Sequence, residues 1–236
     1  MNNILVTGGA SGLGLSITES LAKVQDNFIY FTFHKSVEKA KELEKTYAHV
    51  KGISCDFTSE NDMSSLLLQM ETMSLDVLVN NAITGLNIEY FHKENPDTFL
   101  ENFKANILPV IKISQQAIKL FRKKKHGRII TILTSFLLEN PPMGCSEYTA
   151  SKAYLLSLAK SWAVENARFN ICSNCISPSF MQTPLNAHTD ERVVEQMKAN
   201  HPLNKLLLPE EVAETLLYLT TCSSQINGIN IPLTQV

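Results

Sequence analysis

Short apolar runs alternate along the chain with longer segments whose apolar residues recur at helical spacing. The apolar runs predict strands over Asn3–Thr7, Asn27–Phe33, Val50–Cys55, Leu75–Val79, Gly127–Thr134, Asn170–Ile176 and Gly228–Pro232. The periodic segments predict helices over Gly12–Val24, Ser36–Thr46, Glu60–Met73, Thr98–Lys125, Glu147–Ala167, Thr189–Asn200 and Pro209–Cys222. This alternation is typical of an α/β fold: a doubly wound (Rossmann) parallel sheet of seven strands with helices on both faces.

Composition indicates one globular domain over residues 1–236. Hydrophobic side chains make up 44% and charged side chains 19%, and no repeats or Gly/Ser-rich linkers interrupt the chain. Basic and acidic residues nearly balance, at 21 against 23, so no nucleic-acid partner is expected. No apolar run is long enough to span a membrane, and the N-terminal residues lack the basic start of a signal peptide. We therefore expect a cytoplasmic protein without a membrane partner.

The five cysteines are few for this length and odd in number, as expected for reduced thiols in a cytosol. Cys172 and Cys175 form a C-x-x-C pair, which could be a redox pair or half of a metal site. No second pair stands at zinc-finger spacing, and the pair lies in a strand-like stretch. We interpret both as buried structural thiols and expect no metal site.

A glycine-rich loop follows the first predicted strand. Gly8, Gly12 and Gly14 have the spacing G-x-x-x-G-x-G, which is neither the G-x-G-x-x-G fingerprint nor a Walker loop. Glycines permit a tight turn and let backbone N–H groups approach a pyrophosphate, to which the next helix adds its positive dipole end. An ordinary glycine turn is the alternative, but the place between first strand and first helix favours a dinucleotide site.

The ends of the second and third strands bear on the choice of coenzyme. Where an NAD site usually offers a carboxylate, this chain has His34, Lys35 and Ser36. These side chains could bind a 2′-phosphate, which favours NADP(H) over NAD(H), although a solvated cationic turn has the same composition. Asp56 could accept a hydrogen bond from the adenine amino group or cap the helix that begins near Ser59.

Candidate catalytic side chains occur at strand ends and on predicted helices. Tyr148 and Lys152 would lie on one face of a helix, where an ammonium about 5 Å away would lower the tyrosine pKa from about 10 by about 2 units. Ser135 is expected at the carboxyl end of a central strand, where open α/β sheets bind ligands. Asn106 is a poor helix former inside an apolar helical stretch, and Asn80 ends another apolar strand.

Together these features resemble the short-chain dehydrogenase/reductase family over nearly the whole chain. The shared residues are Thr7–Gly14 (T-G-x-x-x-G-x-G), Asp56, Asn80–Ala82 (N-N-A), Asn106, Ser135 at 13 residues before the tyrosine, Tyr148–Lys152 (Y-x-x-x-K), Pro178 and Thr183. Gly127–Ile130 and Pro209–Ala213 are most similar to the β-ketoacyl-acyl-carrier-protein reductase branch.

The resemblance implies roles for the site residues. Tyr148 would protonate a substrate carbonyl oxygen, Lys152 would hold the nicotinamide ribose, and Ser135 would donate to the carbonyl oxygen. Asn106 would hold a water of a proton relay. The implied coenzyme contacts are Gly8, Ser11, Gly12, Leu13, Gly14, His34, Lys35, Ser36, Asp56, Phe57, Asn80, Ala82, Tyr148, Lys152, Pro178 and Thr183.

Some positions depart from the family pattern. Ile83 stands where the family has Gly beside the coenzyme, Ser179 follows Pro178 in place of Gly, and Ser11 replaces an Arg often found in NADP-using relatives. The ending Ile231–Val236 lacks the acidic-Gly-Gly tail that often packs against a partner subunit. The resemblance implies a homodimer or homotetramer, and this ending weakens the case for the tetramer.

Residues 179–202 are expected to form a substrate lid, because the segment has few core signals. Four apolar side chains could line a substrate pocket or form the packing face of a lid helix: Met181, Leu185, Met197 and Leu203. Two more are expected near the substrate: Met143 and Cys145. The basic run Arg122–Arg128 is typical of a solvated helix end, while Lys125 and Arg168 could receive an acyl carrier protein.

The leading hypothesis is therefore NADPH-dependent reduction of a carbonyl, preferably that of a β-ketoacyl thioester. One alternative is an NAD(P)-dependent alcohol or sugar dehydrogenase of the same fold. Another is a non-catalytic cofactor-binding sensor or scaffold, which the departures from the family pattern support and the intact Asn106, Ser135, Tyr148 and Lys152 oppose.

Overall fold

The computed structural model describes residues 2–138 and 140–234, and within them strands and helices alternate. The main elements are β1 (Asn2–Val6), α1 (Gly12–Ala22), β2 (Asn27–Phe33), α2 (Val37–Thr46), β3 (Val50–Ser54), α3 (Glu60–Met70), β4 (Val77–Asn80), α4 (Pro96–Asn102), α5 (Leu108–Lys124), β5 (Gly127–Ile132), α6 (Ser146–Asn166), β6 (Ile171–Pro178), α7 (Glu191–Asn200), α8 (Pro209–Thr221) and β7 (Asn230–Leu233).

The strands form one parallel sheet in the order β3-β2-β1-β4-β5-β6-β7. One apolar layer packs α1 and α8 against a face of the sheet, and the other packs α3, α5 and α6 against the opposite face. The predicted doubly wound α/β fold is therefore confirmed. Gln235 and Val236, the last residues of the altered ending, lie outside the described residues.

The central strands are apolar along their whole length because both faces of the sheet are covered. In β1, Ile4 and Val6 belong to the layer with α1 and α8, whereas Leu5 belongs to the layer with α3, α5 and α6. In β4, Val79 and Leu78 divide between the layers in the same way. The period of two along each strand thus accounts for the continuous apolar runs of the sequence.

The strand order reverses between β1 and β4, which places a crevice at the carboxyl ends of these strands. The glycine loop leaves β1 at this edge, and Thr7 joins the two strands there. Its amide donates to the carbonyl of Val79 at 3.0 Å, and its hydroxyl oxygen accepts from the amide of Asn81 at 2.9 Å. The fold therefore brings the glycine loop and the end of β4 to one crevice.

The predicted helix over Thr98–Lys125 is interrupted, which is a correction to the sequence analysis. A π-helical turn at Phe103–Ile107 separates α4 from α5. Asn106 lies in this turn, and its Oδ1 accepts from the backbone amide of Thr84 at 2.7 Å and its hydroxyl at 3.0 Å. Its Nδ2 donates to the Thr84 carbonyl at 3.1 Å. These bonds to a distant loop explain the polar residue at this helical position.

A membrane crossing would need a longer and more apolar helix than any within the described ranges.

Candidate active site

A cavity of about 660 Å³ opens at the carboxyl ends of the central strands. One end is lined by the glycine loop and the residues after β2 and β3, and the other by α6 and the segment after β6. The predicted coenzyme contacts that line it are Gly8, Ser11, Gly12, Leu13, Gly14, His34, Lys35, Ser36, Asp56, Phe57, Ala82, Tyr148, Lys152, Pro178 and Thr183.

The glycine loop leaves room that side chains would fill. Gly8 and Gly12 have positive φ angles of +67° and +50°, which favour glycine. A Cβ on Gly14 would lie 2.0 Å from the Gly8 carbonyl oxygen, so the close contact between the loop and α1 requires glycine. The Ser11 side chain makes no capping hydrogen bond with the first turn of α1, and uncapped N–H groups at a helix N-terminus suit a phosphate.

The residues after β2 form the cationic part of the cavity. His34 Nε2 lies 3.6 Å from Asp56 Oδ2, and Lys35 and Ser36 line the cavity beside them. Asp56 Oδ1 accepts from the backbone amide of Thr58 at 2.9 Å and from its hydroxyl at 2.7 Å. These bonds, with smaller contributions from the charges of His34 and Lys35, hold the pKa of Asp56 below its usual value.

The predictions for Asp56 as a helix cap and for Asn80 as a coenzyme contact need correction. The helix-capping alternative for Asp56 is wrong, because the Ser59 hydroxyl caps α3 by accepting from the amide of Asp62 at 3.3 Å. The Asn80 side chain points into the core, where its Nδ2 donates to the Ser114 hydroxyl at 3.0 Å.

Asn81, which follows the last residue of β4, lines the cavity in place of Asn80. Its Nδ2 donates to the carbonyl oxygens of Thr7 at 3.0 Å and Gly8 at 3.3 Å, so it ties the glycine loop to the end of β4. Of these two successive amide side chains, that of Asn81 lines the cavity and that of Asn80 does not. The difference arises because successive residues of a strand point to opposite sides.

Tyr148 and Lys152 lie one turn apart on α6 and both line the cavity. The Lys152 ammonium is buried, lies 5.8 Å from the centroid of the Tyr148 ring, and donates to the carbonyl of Ile132 at 2.9 Å. Burial lowers the pKa of Lys152 to about 8.

Burial also raises the pKa of Tyr148 to about 12, and a hydrogen bond with the Thr134 side chain opposes the rise. The predicted lowering of this pKa by Lys152 is therefore wrong for the structure described. The physical reason is that the free energy needed to remove the phenolate from water is larger than the stabilisation that the nearby groups give to it. At neutral pH the phenol is consequently protonated.

Of the two hydroxyl side chains after β5, the cavity is lined by Thr134 and not by the predicted Ser135. Ser135 is buried and opens a short 3-10 turn, Ser135–Leu137. Sequence reasoning chose Ser135 by its spacing from Tyr148. The signal that could have identified Thr134 is its position two residues beyond Ile132, on the same side of an extended chain.

Asn106 borders a separate small cavity of about 10 Å³, which Tyr148, Ser151 and Lys152 also line. A cavity of this size is close to the room that one water molecule needs, and its wall carries the polar side chains that such a water would contact. The structure thus brings Asn106 beside the tyrosine and the lysine, with its side chain fixed by Thr84.

The substrate end of the cavity is mostly apolar. Its apolar lining includes Ile83, Leu86, Ile88, Phe136, Met143, Cys145, Met181, Leu185, Val193 and Met197. Ile83, which replaces the family's Gly, is part of the wall. Leu203 does not line the cavity and is 54% exposed, so the prediction for this side chain is wrong.

The segment after β6 touches the glycine loop. A Cβ on Gly12 would lie 3.3 Å from the Cδ atom of Pro184 and 3.4 Å from the Cβ atom of Thr183. Asn186 fixes this segment, because its Oδ1 accepts from the Thr183 amide at 2.9 Å and its Nδ2 donates to the Met181 carbonyl at 2.7 Å. The segment therefore covers the cavity between its two ends.

The two residues that were expected to receive an acyl carrier protein, Lys125 and Arg168, lie far from the cavity. Lys125 directly follows α5 and precedes β5, and Arg168 precedes β6, so both are at the amino ends of these parallel strands. The cavity is at the carboxyl ends, about 20 Å away along a strand of this length. Lys125 and Arg168 therefore do not flank the cavity of their own chain.

All five cysteines are buried with free thiols, and burial raises the pKa of Cys55 and Cys175 to about 12. In the part of the chain that the structure describes, no group of three His, Cys, Asp or Glu side chains could hold a metal ion.

A family model described as short chain dehydrogenase matches residues 2–193. The chain is 29% identical over 233 residues to the 3-oxoacyl-(acyl-carrier-protein) reductase of Aquifex aeolicus (95% of this chain, 92% of the relative). It is 30% identical over 221 residues to the enzyme of the same name from Rickettsia prowazekii (92% and 88%). The crystal structure of an actinorhodin polyketide ketoreductase variant with NADPH is similar in fold, with a TM-score of 0.89 and 23% identity over 99% of this chain and 95% of that one. The chain therefore belongs to the short-chain dehydrogenase family and is an NAD(P)-dependent oxidoreductase acting on carbonyl or hydroxyl groups.

Proposed function

We propose that the protein reduces a carbonyl group to an alcohol with NADPH, and that its preferred substrate is a β-ketoacyl thioester. The observation that carries this proposal is that one cavity joins a glycine loop suited to phosphates with Tyr148 and the buried Lys152. A sensor or scaffold would need only the first of these.

The shape of the cavity supports a nicotinamide coenzyme. A larger side chain would strain the loop that is suited to bind phosphates at Gly8 and would collide with it at Gly14. The Ser11 side chain does not cap the first turn of α1. Lys152 would hold the nicotinamide ribose, and Pro178 and Thr183 would cover the nicotinamide end. A bound nicotinamide coenzyme supplies the hydride for the carbonyl carbon.

The protonation states of Tyr148 and Lys152 favour reduction. Because the pKa of Tyr148 is about 12, its phenol carries a proton at neutral pH and can give it to the carbonyl oxygen. Because the pKa of Lys152 is about 8, its ammonium is charged at pH 7 and stabilises the phenolate that remains. Oxidation of an alcohol would first require removal of the strongly held phenol proton.

The cationic part of the cavity supports NADPH over NADH. Lys35 and Ser36 line the cavity and could bind a 2′-phosphate, with His34 beside them. The nearby carboxylate of Asp56 accepts from the Thr58 amide at 2.9 Å and lies 3.6 Å from His34 Nε2.

The apolar substrate end supports an acyl substrate and argues against a sugar. A β-ketoacyl chain can bury its methylene groups against Ile88, Met143 and Leu185, each methylene contributing about 0.8 kcal/mol. Sugar hydroxyls would find few partners on this wall. Relatives named 3-oxoacyl-(acyl-carrier-protein) reductase and acetoacetyl-CoA reductase agree with this class. Lid movement of residues 179–202 is proposed to admit the substrate.

We also propose that the protein self-associates as a homodimer. Leu100 on α4 and Tyr154 and Val164 on α6 are large apolar side chains that remain exposed in the single chain. Light scattering should give the mass of two chains, and a monomer at micromolar concentration would contradict this proposal.

The test of function measures loss of NADPH absorbance with acetoacetyl and longer β-ketoacyl thioesters, presented on coenzyme A and on acyl carrier protein. We expect turnover with NADPH that exceeds turnover with NADH, and a rate at least about 10²-fold lower from the Tyr148→Phe control. Tight NADPH binding without turnover of any carbonyl would favour a sensor. Activity only with NAD⁺ and an alcohol would favour a dehydrogenase.

A further inference from the structure

Two hydroxyl side chains follow β5, and backbone geometry separates them. The chain stays paired to β6 through Leu133, whose amide donates to the Ile176 carbonyl at 2.8 Å. Thr134 is still extended, with φ −156° and ψ 148°, before the 3-10 turn begins at Ser135. Side chains of successive residues in an extended chain project to opposite sides. The two hydroxyls therefore project in different directions.

The contacts show which hydroxyl faces it. Thr134 lines the cavity with Tyr148 and Lys152. Its hydroxyl oxygen also accepts from the Phe136 amide at 3.4 Å. Ser135 is buried within the turn and outside the lining of the cavity. The hydroxyl that shares the cavity with Tyr148 is thus the one on Thr134.

We propose that Thr134, and not Ser135, donates the side-chain hydrogen bond to the substrate carbonyl oxygen, an inference that rests on the proposed reductase function. In the reduction, the carbonyl carbon gains a hydride from NADPH, which is oxidised to NADP⁺. The carbonyl oxygen gains the phenol proton of Tyr148. Thr134 keeps its own proton and stabilises the negative charge that develops on the oxygen.

Threonine suits this position because its branched Cβ limits the directions that the hydroxyl can take. The Phe136 amide provides a second constraint on the same oxygen. Because the Thr134 hydroxyl is already oriented before the substrate binds, less free energy is needed to reorganise the site during the reaction.

The test compares Thr134→Ala with Ser135→Ala, a matched pair of adjacent hydroxyl deletions. We expect kcat of Thr134→Ala to fall about 10²-fold, while NADPH affinity stays within twofold of the original protein and Ser135→Ala keeps nearly full activity. Thr134→Ser should restore most of the lost rate because it retains the donor. The reverse pattern, a large loss in Ser135→Ala and little in Thr134→Ala, overturns the proposal.

A pH profile separates donation from a structural role. Hydrogen bonding by Thr134 lowers the pKa of Tyr148, and alcohol oxidation requires the phenolate, so loss of Thr134 should move the rising limb of the oxidation profile to higher pH. Thr134→Ser should bring the limb back. If Thr134→Ala does not fold, the Thr134→Ser and Thr134→Val pair gives the same comparison at nearly constant volume.

The two proposals fail in distinguishable ways. An unaltered protein without turnover of β-ketoacyl thioesters contradicts the proposed function. An active unaltered protein whose rate and pH profile are insensitive to Thr134→Ala contradicts only the role of Thr134.

Discussion

Lys152 is expected to lower the stability of the fold at neutral pH, and Lys152→Met should reveal this. Burial lowers the pKa of the ammonium from its ordinary 10.5 to about 8. At 1.36 kcal/mol per unit, the charged form is disfavoured in the folded state by about 3 kcal/mol. Methionine has a similar length and no charge, but it leaves the Ile132 carbonyl without its donor, which costs about 1–3 kcal/mol.

The net expectation is that Lys152→Met unfolds with a free energy about 1 kcal/mol higher than the original protein at pH 7, a Tm gain of about 2–4 °C. Because the folded-state pKa lies below the unfolded-state value, the folded protein binds this proton less tightly. The stability that Lys152 contributes therefore rises as pH increases through 8. The advantage of Lys152→Met should fall by about 2 kcal/mol between about pH 7 and pH 9.5.

The assay is denaturant unfolding of both proteins at several pH values. In the difference between their free energies of unfolding, the contributions of groups that titrate alike in both proteins cancel. Lys152→Arg serves as the control that keeps the charge and should show no gain at neutral pH. Turnover should be lost in Lys152→Met. An advantage that does not change with pH would refute the reasoning, because it would show that Lys152 does not titrate as a buried amine.

Three further variants test other parts of the site. Tyr148→Phe should lower kcat by about 10²–10⁴-fold while NADPH affinity, measured by fluorescence titration, hardly changes; near-normal rates would contradict the acid role. Lys35→Glu should weaken NADPH by about 10–100-fold and NADH much less, and equal effects on both Kd values would exclude the 2′-phosphate contact. Burial raises the pKa of Glu147, so its negative charge destabilises the fold above the usual carboxyl range. Glu147→Gln should therefore raise Tm at pH 8 and not at pH 4, and a lower Tm at pH 8 would count against this.

The sequence predicted the sheet and most helices because strands buried on both faces are apolar throughout. Ile4, Leu5 and Val6 are all buried and divide between the two layers, so the run is continuous and the strand is recognisable. The break before α5 was not predicted, because it depends on the bonds between Asn106 and Thr84, which are distant in sequence.

Motif spacing in the sequence predicted which types of residue form the site. It did not predict which of two adjacent polar residues faces the cavity. Asn80 and Asn81 are chemically identical, and only the end point of β4 decides that Asn81 lines the cavity. Thr134 and Ser135 pose the same problem after β5. The pKa of Tyr148 could not be predicted from the position of Lys152, because it is dominated by burial.

The most direct test of the account follows hydrogen from NADPH carrying deuterium at the transferring position of its nicotinamide ring. Mass spectrometry of the product from a β-ketoacyl thioester should show one deuterium on the carbon that bore the ketone, and Tyr148→Phe should transfer the label at least about 10²-fold more slowly than the original protein. A product without deuterium, or bound NADPH that never transfers its label to any carbonyl, would contradict the claim that this cavity carries out carbonyl reduction.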